Sequence, residues 1–261
     1  MLNITDIGIN LMNARYHKDR DEVVERAIEV GVTKMIITGT TIWNSKSAII
    51  RARKHPGMVF STVGIHPHSA KDCSTEIINE MRQLASHKEV VAIGECGLDF
   101  DRDFSPRDIQ EKWFEEQIKL ACELNMPLFL HEREAHRRFI DILSKYKGQY
   151  KNAVVHCFSG TLSELKTYLE MGLYIGITGF VCDDRRPELK EIVKSIPLDK
   201  LMIETDGPFI LPRDLKNKPH DRRNEPAFLP HILNTIAKCM NKTPEEVAKA
   251  TTENANQFFG I

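Results

Sequence analysis

The chain has 261 residues, 41% hydrophobic and 28% charged, the balance of a globular protein with enough apolar material for a sizeable core. Its 36 basic and 37 acidic residues leave a net charge of −1, which removes the global basic excess of proteins that coat duplex nucleic acid but permits a local basic groove. No stretch reaches the roughly 20 apolar residues that cross a bilayer, and six scattered cysteines without a C-x-x-C pair argue against a zinc knuckle or a disulfide framework.

Met1 to Asn10 has neither a basic leader nor a small-residue cleavage site, so a cytoplasmic protein is expected. From there, short β-rich runs alternate with longer amphipathic stretches. The predicted strands are Ile4–Ile9, Lys34–Thr38, Val59–Ile65, Val90–Gly94, Leu128–His131, Ala153–Cys157, Tyr174–Ile177 and Leu201–Thr205. The predicted helices between them are Asp19–Val30, Asn44–Lys54, Ser74–His87, Arg107–Asn125, Glu134–Lys147, Ser163–Glu170 and Pro187–Ser195, with a last one over Leu229–Met240. Runs such as VVAIGE and AVVHCF are apolar at consecutive positions, as parallel strands covered on both faces must be. Ser105-Pro106 opens a helix, and Gly31 and Gly172 close two others. This pattern predicts a single (β/α)8 TIM-barrel domain over residues 1–261. A doubly wound open sheet is disfavoured, because no G-x-G-x-x-G follows the first strand.

In such a barrel the chemistry gathers at the C-terminal ends of the strands. Those ends carry Asp6 and Asn10, His66 and His68, Glu95 and Asp99, His131, His156, and Glu204 and Asp206. One strand-end His or Glu alone is an ordinary hydrogen-bonded group; Glu95, His131, His156 and Asp206 together form a set able to hold divalent cations. Mixed imidazole and carboxylate donors suit Mg2+, Mn2+ or Zn2+, and such a centre polarises a phosphoryl oxygen. Period-two alternation predicts that Glu204 and Asp206 share a face, as do His131 and Arg133, and His66 and His68. The long loop from Pro208 to Pro226 carries five basic residues, and Arg185-Arg186 follows the seventh strand; both would rim the barrel mouth and favour a phosphate-bearing substrate. Phe180 and Phe209 are available there to stack on bases.

Eight segments in order resemble the TatD family of metal-dependent deoxyribonucleases. They are DIGIN (Asp6 to Asn10), TVGIHPH (Thr62 to His68), AIGECGLDF (Ala92 to Phe100), NMPLFLHER (Asn125 to Arg133), VVHCFSG (Val154 to Gly160), YIGITG (Tyr174 to Gly179), IETDGPF (Ile203 to Phe209) and RRNEP (Arg222 to Pro226). The resemblance implies an amidohydrolase-like hydrolase of phosphodiester bonds, a magnesium-dependent 3′–5′ exonuclease on single-stranded DNA and RNA with a role in DNA repair. Carried over motif by motif, Glu95, His131 and His156 are metal ligands, and Asp206 is both ligand and proton acceptor. Glu204 is the other candidate catalytic carboxylate. His66 contacts substrate phosphate, with Arg133, Arg222, Asn224 and Glu225 as further substrate-binding candidates. The expected cofactor is Mg2+, with Mn2+ or Zn2+ as substitutes, and the expected state is a monomer.

Three departures from the family pattern stand out. Gly8 and Asn10 replace the His-x-His of most members, a loss shared by the bacterial branch that leaves one metal position with fewer ligands. Glu132 stands where Cys is usual, and Gly207 where Ala is usual. Two other functions remain open on sequence: hydrolysis of an ester or amide such as aminoacyl-tRNA, and nucleic-acid binding around a vestigial metal site.

Overall fold

The computed structural model describes residues 2–261. Its strands are β1 (Ile4–Ile9), β2 (Val32–Ile37), β3 (Val59–Val63), β4 (Val90–Asp99), β5 (Leu128–Arg133), β6 (Ala153–Val155), β7 (Tyr174–Ile177) and β8 (Leu201–Ile203). They follow chain order through an eight-stranded sheet. The helices are α1 (Arg20–Glu29), α2 (Ile42–Ala52), α3 (Thr75–Leu84), α4 (Arg107–Leu124), α5 (His136–Leu143), α6 (Leu162–Glu170), α7 (Pro187–Val193), α8 (Leu229–Met240) and α9 (Pro244–Phe259). Internal contacts gather the chain into two compact units. The first holds Met1–Ile37, Cys157–Lys166 and Tyr174–Ile261, the second Thr38–His156 and Thr167–Leu173.

In the first unit β1 is buried along its whole length and pairs with β2 in parallel, Ile4 opposite Val32 and Ile9 opposite Ile37. β7 and β8 pair likewise, Ile175 opposite Leu201. Beyond β8 the chain stays against β1, with Asp206 N–H donating to the Gly8 carbonyl and Asn10 N–H to that of Gly207. α9 has no counterpart in the sequence reading, although its start is written in T-P-E-E. Thr243 and Glu246 cap each other's backbone N–H reciprocally, Pro244 opens the helix, and Gly260 closes it in the left-handed region. Asn254 on α9 then donates to the carbonyls of Leu198 and Leu201, anchoring the helix at the start of β8.

In the second unit β3, β4, β5 and β6 pair in parallel. β4 does not stop at Gly94, the end of the predicted strand, but runs to Asp99. A Cβ on Gly94 would stand 2.1 Å from the Phe129 carbonyl oxygen, and one on Gly97 1.8 Å from that of His131. Both glycines have positive φ, so they let the two backbones close up where no other residue fits. Between them the β4–β5 register shifts at Glu95. That extra residue leaves the ladder, and its N–H donates instead to the Gly39 carbonyl at 2.7 Å. Bulges of this kind re-aim a side chain beside active sites, and here the side chain is Glu95.

Candidate active site

Two glutamines on one face of α4, two turns apart, set the second unit's site. Gln117 binds both the N–H and the carbonyl of Ile65 and so holds the chain that leads into His66. Gln110 does the same for Asp99 and adds a bond to the Ser105 carbonyl. Both are buried and saturated by backbone, which makes them rigid posts rather than solvent-facing amides.

Three imidazoles converge on one oxygen. Glu95 Oε1 lies 2.7 Å from His156 Nε2, 3.0 Å from His131 Nδ1 and 3.3 Å from His66 Nε2. Burial alone would raise the Glu95 carboxyl, but the neighbouring His156 and hydrogen bonds from His131 and His156 hold it well below the ordinary carboxylate range. Three ring nitrogens around one oxygen exceed what its lone pairs serve well by hydrogen bonding. Their spacing instead matches the roughly 3 Å between neighbouring donors around a small divalent cation. His131 Nε2 is buried and finds no hydrogen-bond partner among the described residues, with Asp99 Oδ2 3.4 Å away. Ligand atoms of His66, Glu95 and His131 lie within 4.8 Å of one another, a donor set that fits a divalent metal, and His156 Nε2 meets the same Glu95 oxygen.

His66 is different in kind. Its Nδ1 accepts from the His68 backbone N–H at 3.1 Å, so in the neutral ring the proton sits on Nε2. Burial pushes its pKa down to about 4, which keeps it neutral at physiological pH. A ring with Nε2–H cannot offer that nitrogen's lone pair to a metal, but it can donate to an anionic oxygen. Beside it, His68 Nε2 meets Asp99 Oδ2 at 2.7 Å. Burial would raise Asp99, yet the nearby His131 ring and the bonds from His68 and the Arg102 N–H leave it strongly lowered. Asp99, named among the strand-end residues but given no role there, shares a strand face with Glu95 and Gly97 by period-two alternation. Arg133 ends β5 exposed and paired with Asp101 at 2.8 Å.

In the first unit Asp206 lies beyond the end of β8 with φ 52°, a left-handed residue, and its Oδ1 accepts from Asn10 Nδ2 at 2.8 Å. Glu204 is fully buried and accepts from the Cys157 N–H at 2.5 Å. Strand alternation does not govern this pair, because β8 ends at Ile203 and the chain turns sharply at Asp206. Likewise His66 and His68 fall beyond β3, which ends at Val63. Asn224 is fully buried, donating to the carbonyls of Thr205 and Ile210, while Glu225 grips Arg26 through two bonds of 2.8 Å. Both are occupied with holding the loop. Arg222 instead lines a cleft of about 360 Å3 with Phe180, Asp183, Arg185, Arg213 and Lys218. Arg186 stacks over Phe180 at 5.1 Å, and Asp183 pairs with both Arg185 and Arg213.

Asp6 supports the same region from beneath, its carboxylate accepting from the N–H groups of Gly8 and Thr205 and from the Thr205 hydroxyl. Burial dominates its titration and, with a contribution from Glu204, raises its pKa from 3.8 to about 7 against those hydrogen bonds. Because the folded value exceeds the unfolded one, this group's contribution to stability is complete below pH 3.8 and is lost as pH rises through about 7. At about 1.4 kcal/mol per unit, the difference between the two limits is roughly 4 kcal/mol. Asp6→Asn is expected to flatten the fall in melting temperature between pH 5 and pH 8; an unchanged slope in thermal melts would refute the assignment.

The family described as TatD related DNase matches residues 5–260. A protein of Pantoea vagans named 3′-5′ ssDNA/RNA exonuclease TatD is 51% identical, covering 98% of this chain and 99% of its own. Its namesake from Erwinia tasmaniensis is 49% identical over the same shares of both chains. Among solved structures, a TatD family hydrolase from Entamoeba histolytica superposes with a TM-score of 0.88 at 27% identity, covering 99% of this chain and 98% of the other. A TatD homologue from Escherichia coli K12 shares the fold with a TM-score of 0.89 at 24% identity, over 99% and 98% of the two chains. Fold and site together define a metal-dependent hydrolase of the (β/α)8 barrel class, the class expected from the strand and helix pattern. The chain belongs to the TatD family of DNases.

Proposed function

We propose that this protein is a 3′–5′ exonuclease that removes nucleotides from single-stranded DNA and RNA with the help of a divalent cation held by Glu95, His131 and His156. The observation that carries the reading is the convergence of imidazole nitrogens on Glu95 Oε1 within 2.7–3.3 Å. The relatives' name supplies the substrate and polarity. When bound, the cation supplies Lewis acidity to a phosphoryl oxygen and to water.

The chain's own groups divide the remaining work. Glu95 brings the negative charge, and the shifted register of β4 fixes where it points. Neutral His66 donates from Nε2 to a non-bridging phosphate oxygen. Asp206 accepts the proton of the attacking water, with Asn10 fixing its second oxygen's direction through the 2.8 Å bond to Oδ1. Glu204 is a positioning residue that acts through the Cys157 backbone. Arg222, Lys218 and Arg213 provide positive charge for the sugar-phosphate strand, and Phe180 an aromatic face.

Mg2+ is proposed as the working ion. Mn2+, which takes imidazole nitrogen more readily, should support turnover at least as well. A single-stranded oligonucleotide labelled at its 5′ end, incubated in EDTA, Mg2+, Mn2+ or Zn2+, tests the proposal. Shortening from the 3′ end only with metal is expected; a folded protein that cleaves under none of these ions would sink it.

A further inference from the structure

A second set of metal-capable atoms lies in the first unit, built from residues the reaction above does not use. Cys182 Sγ, one Asp214 oxygen and one His231 ring nitrogen lie within 4.8 Å of one another. They come from three separate pieces of chain: the 3-10 turn Gly179–Cys182, the loop after β8, and α8. His231 Nε2 meets Asp214 Oδ1 at 2.6 Å. The thiol of Cys182 is directed at Thr235 Oγ1 at 3.4 Å, and that hydroxyl in turn donates to the His231 carbonyl, so the sulfur's orientation is held by the helix that carries the histidine.

The same three residue types invite comparison with a nucleophilic cysteine triad, and the geometry rejects it. Cys182 is completely buried, its hydrogen bond goes to Thr235 rather than to the imidazole, and burial pushes its thiol up to about 12. Such a sulfur neither reaches a substrate nor ionises by itself. A cation inserted among the three atoms would ionise it directly, as coordinating metals do.

We infer that Cys182, Asp214 and His231 form a second, non-catalytic site for a borderline divalent cation, Zn2+ by its preference for mixed sulfur, nitrogen and oxygen donors. The Asp214 and His231 side chains are 35% and 34% exposed, so water reaches that edge and completes the four-coordinate shell. Binding exchanges the 2.6 Å His231–Asp214 hydrogen bond for two metal bonds, with the imidazole proton passing from Nε2 to Nδ1, and releases the Cys182 proton to solvent. The consequence is local. Asp183, next to Cys182, already pairs with Arg213, next to Asp214, at 3.1 Å. A metal would add a second tie between the same two segments, which together wall the cleft of Phe180, Arg185 and Lys218.

Co2+ gives a direct readout, because a thiolate ligand adds a near-ultraviolet charge-transfer band that the sulfur-free Glu95, His131 and His156 set cannot produce. Anaerobic titration of the full chain with Co2+ is expected to show this band, saturating at one equivalent and bleached by Zn2+. The band should persist in Glu95→Gln, vanish in Cys182→Ser, and require at least about tenfold more Co2+ in His231→Gln, a change at a part-exposed side chain that leaves the core untouched. No thiolate band in the folded wild-type chain would overturn the inference. So would a band that survives Cys182→Ser, or an unchanged Co2+ requirement in His231→Gln.

Discussion

Glu95→Gln is expected to lower metal-dependent cleavage by about a thousandfold or more while the chain still folds. The amide has the shape of the carboxylate and keeps one acceptor oxygen, so the hydrogen bonds of His131 and His156 at 3.0 and 2.7 Å have a partner. What disappears is the charge that holds a cation in a buried place. A bound metal contributes several kcal/mol of charge stabilisation in the transition state, and each 1.4 kcal/mol is a factor of ten. Removal of an anionic ligand should therefore show twice, in turnover and in metal affinity by calorimetry. His156→Ala is the companion change. It removes a ring donor packed against Phe129, with centroids 4.8 Å apart, so activity should vanish with some loss of stability. Retained full activity in either variant, with the fold verified by circular dichroism, would remove this cluster from the reaction.

The second large effect concerns Asp206. Asp206→Asn should reduce kcat by about 10²- to 10⁴-fold, the range expected when a general base is lost, with little change in KM. The substitution is unusually clean here. Asparagine tolerates the left-handed backbone that φ 52° imposes, and its amide oxygen can still accept from Asn10. Position is kept and basicity is lost. A kcat within twofold of wild type would mean that the proton goes elsewhere.

Much of this was legible before any coordinates. Consecutive apolar runs identified parallel strands, and each of the eight observed strands overlaps a predicted one. The polar residues at their ends pointed to Glu95, His131 and His156, because a run of buried apolar residues that stops at an imidazole or carboxylate places that group at a strand mouth. The start of α9 is equally readable in T-P-E-E, although no strand follows it in the βα alternation.

Other features depend on where distant backbone falls. Gly94 looked like the end of β4, and only the carbonyl of Phe129, 2.1 Å from where a Cβ would stand, shows it to be the means of continuing. His66 and His131 are the same residue type near strand ends. His66 is made a donor by the His68 N–H on its Nδ1, while His131 keeps a buried nitrogen without a hydrogen bond. Nothing in sequence spacing encodes a tautomer. Asn224 and Glu225, read as substrate contacts from their motif, turn out to be engaged with Thr205, Ile210 and Arg26.

The amino-acid sequence by itself thus determined the class of fold and the donor types, because hydrophobic periodicity and strand-end placement are local properties. Tertiary structure alone decided which atom each donor presents, which carboxylates are charged and which polar groups are already occupied. Those depend on hydrogen bonds and burial contributed by residues far apart in the chain, as in the Asn10–Asp206 bond across 196 positions.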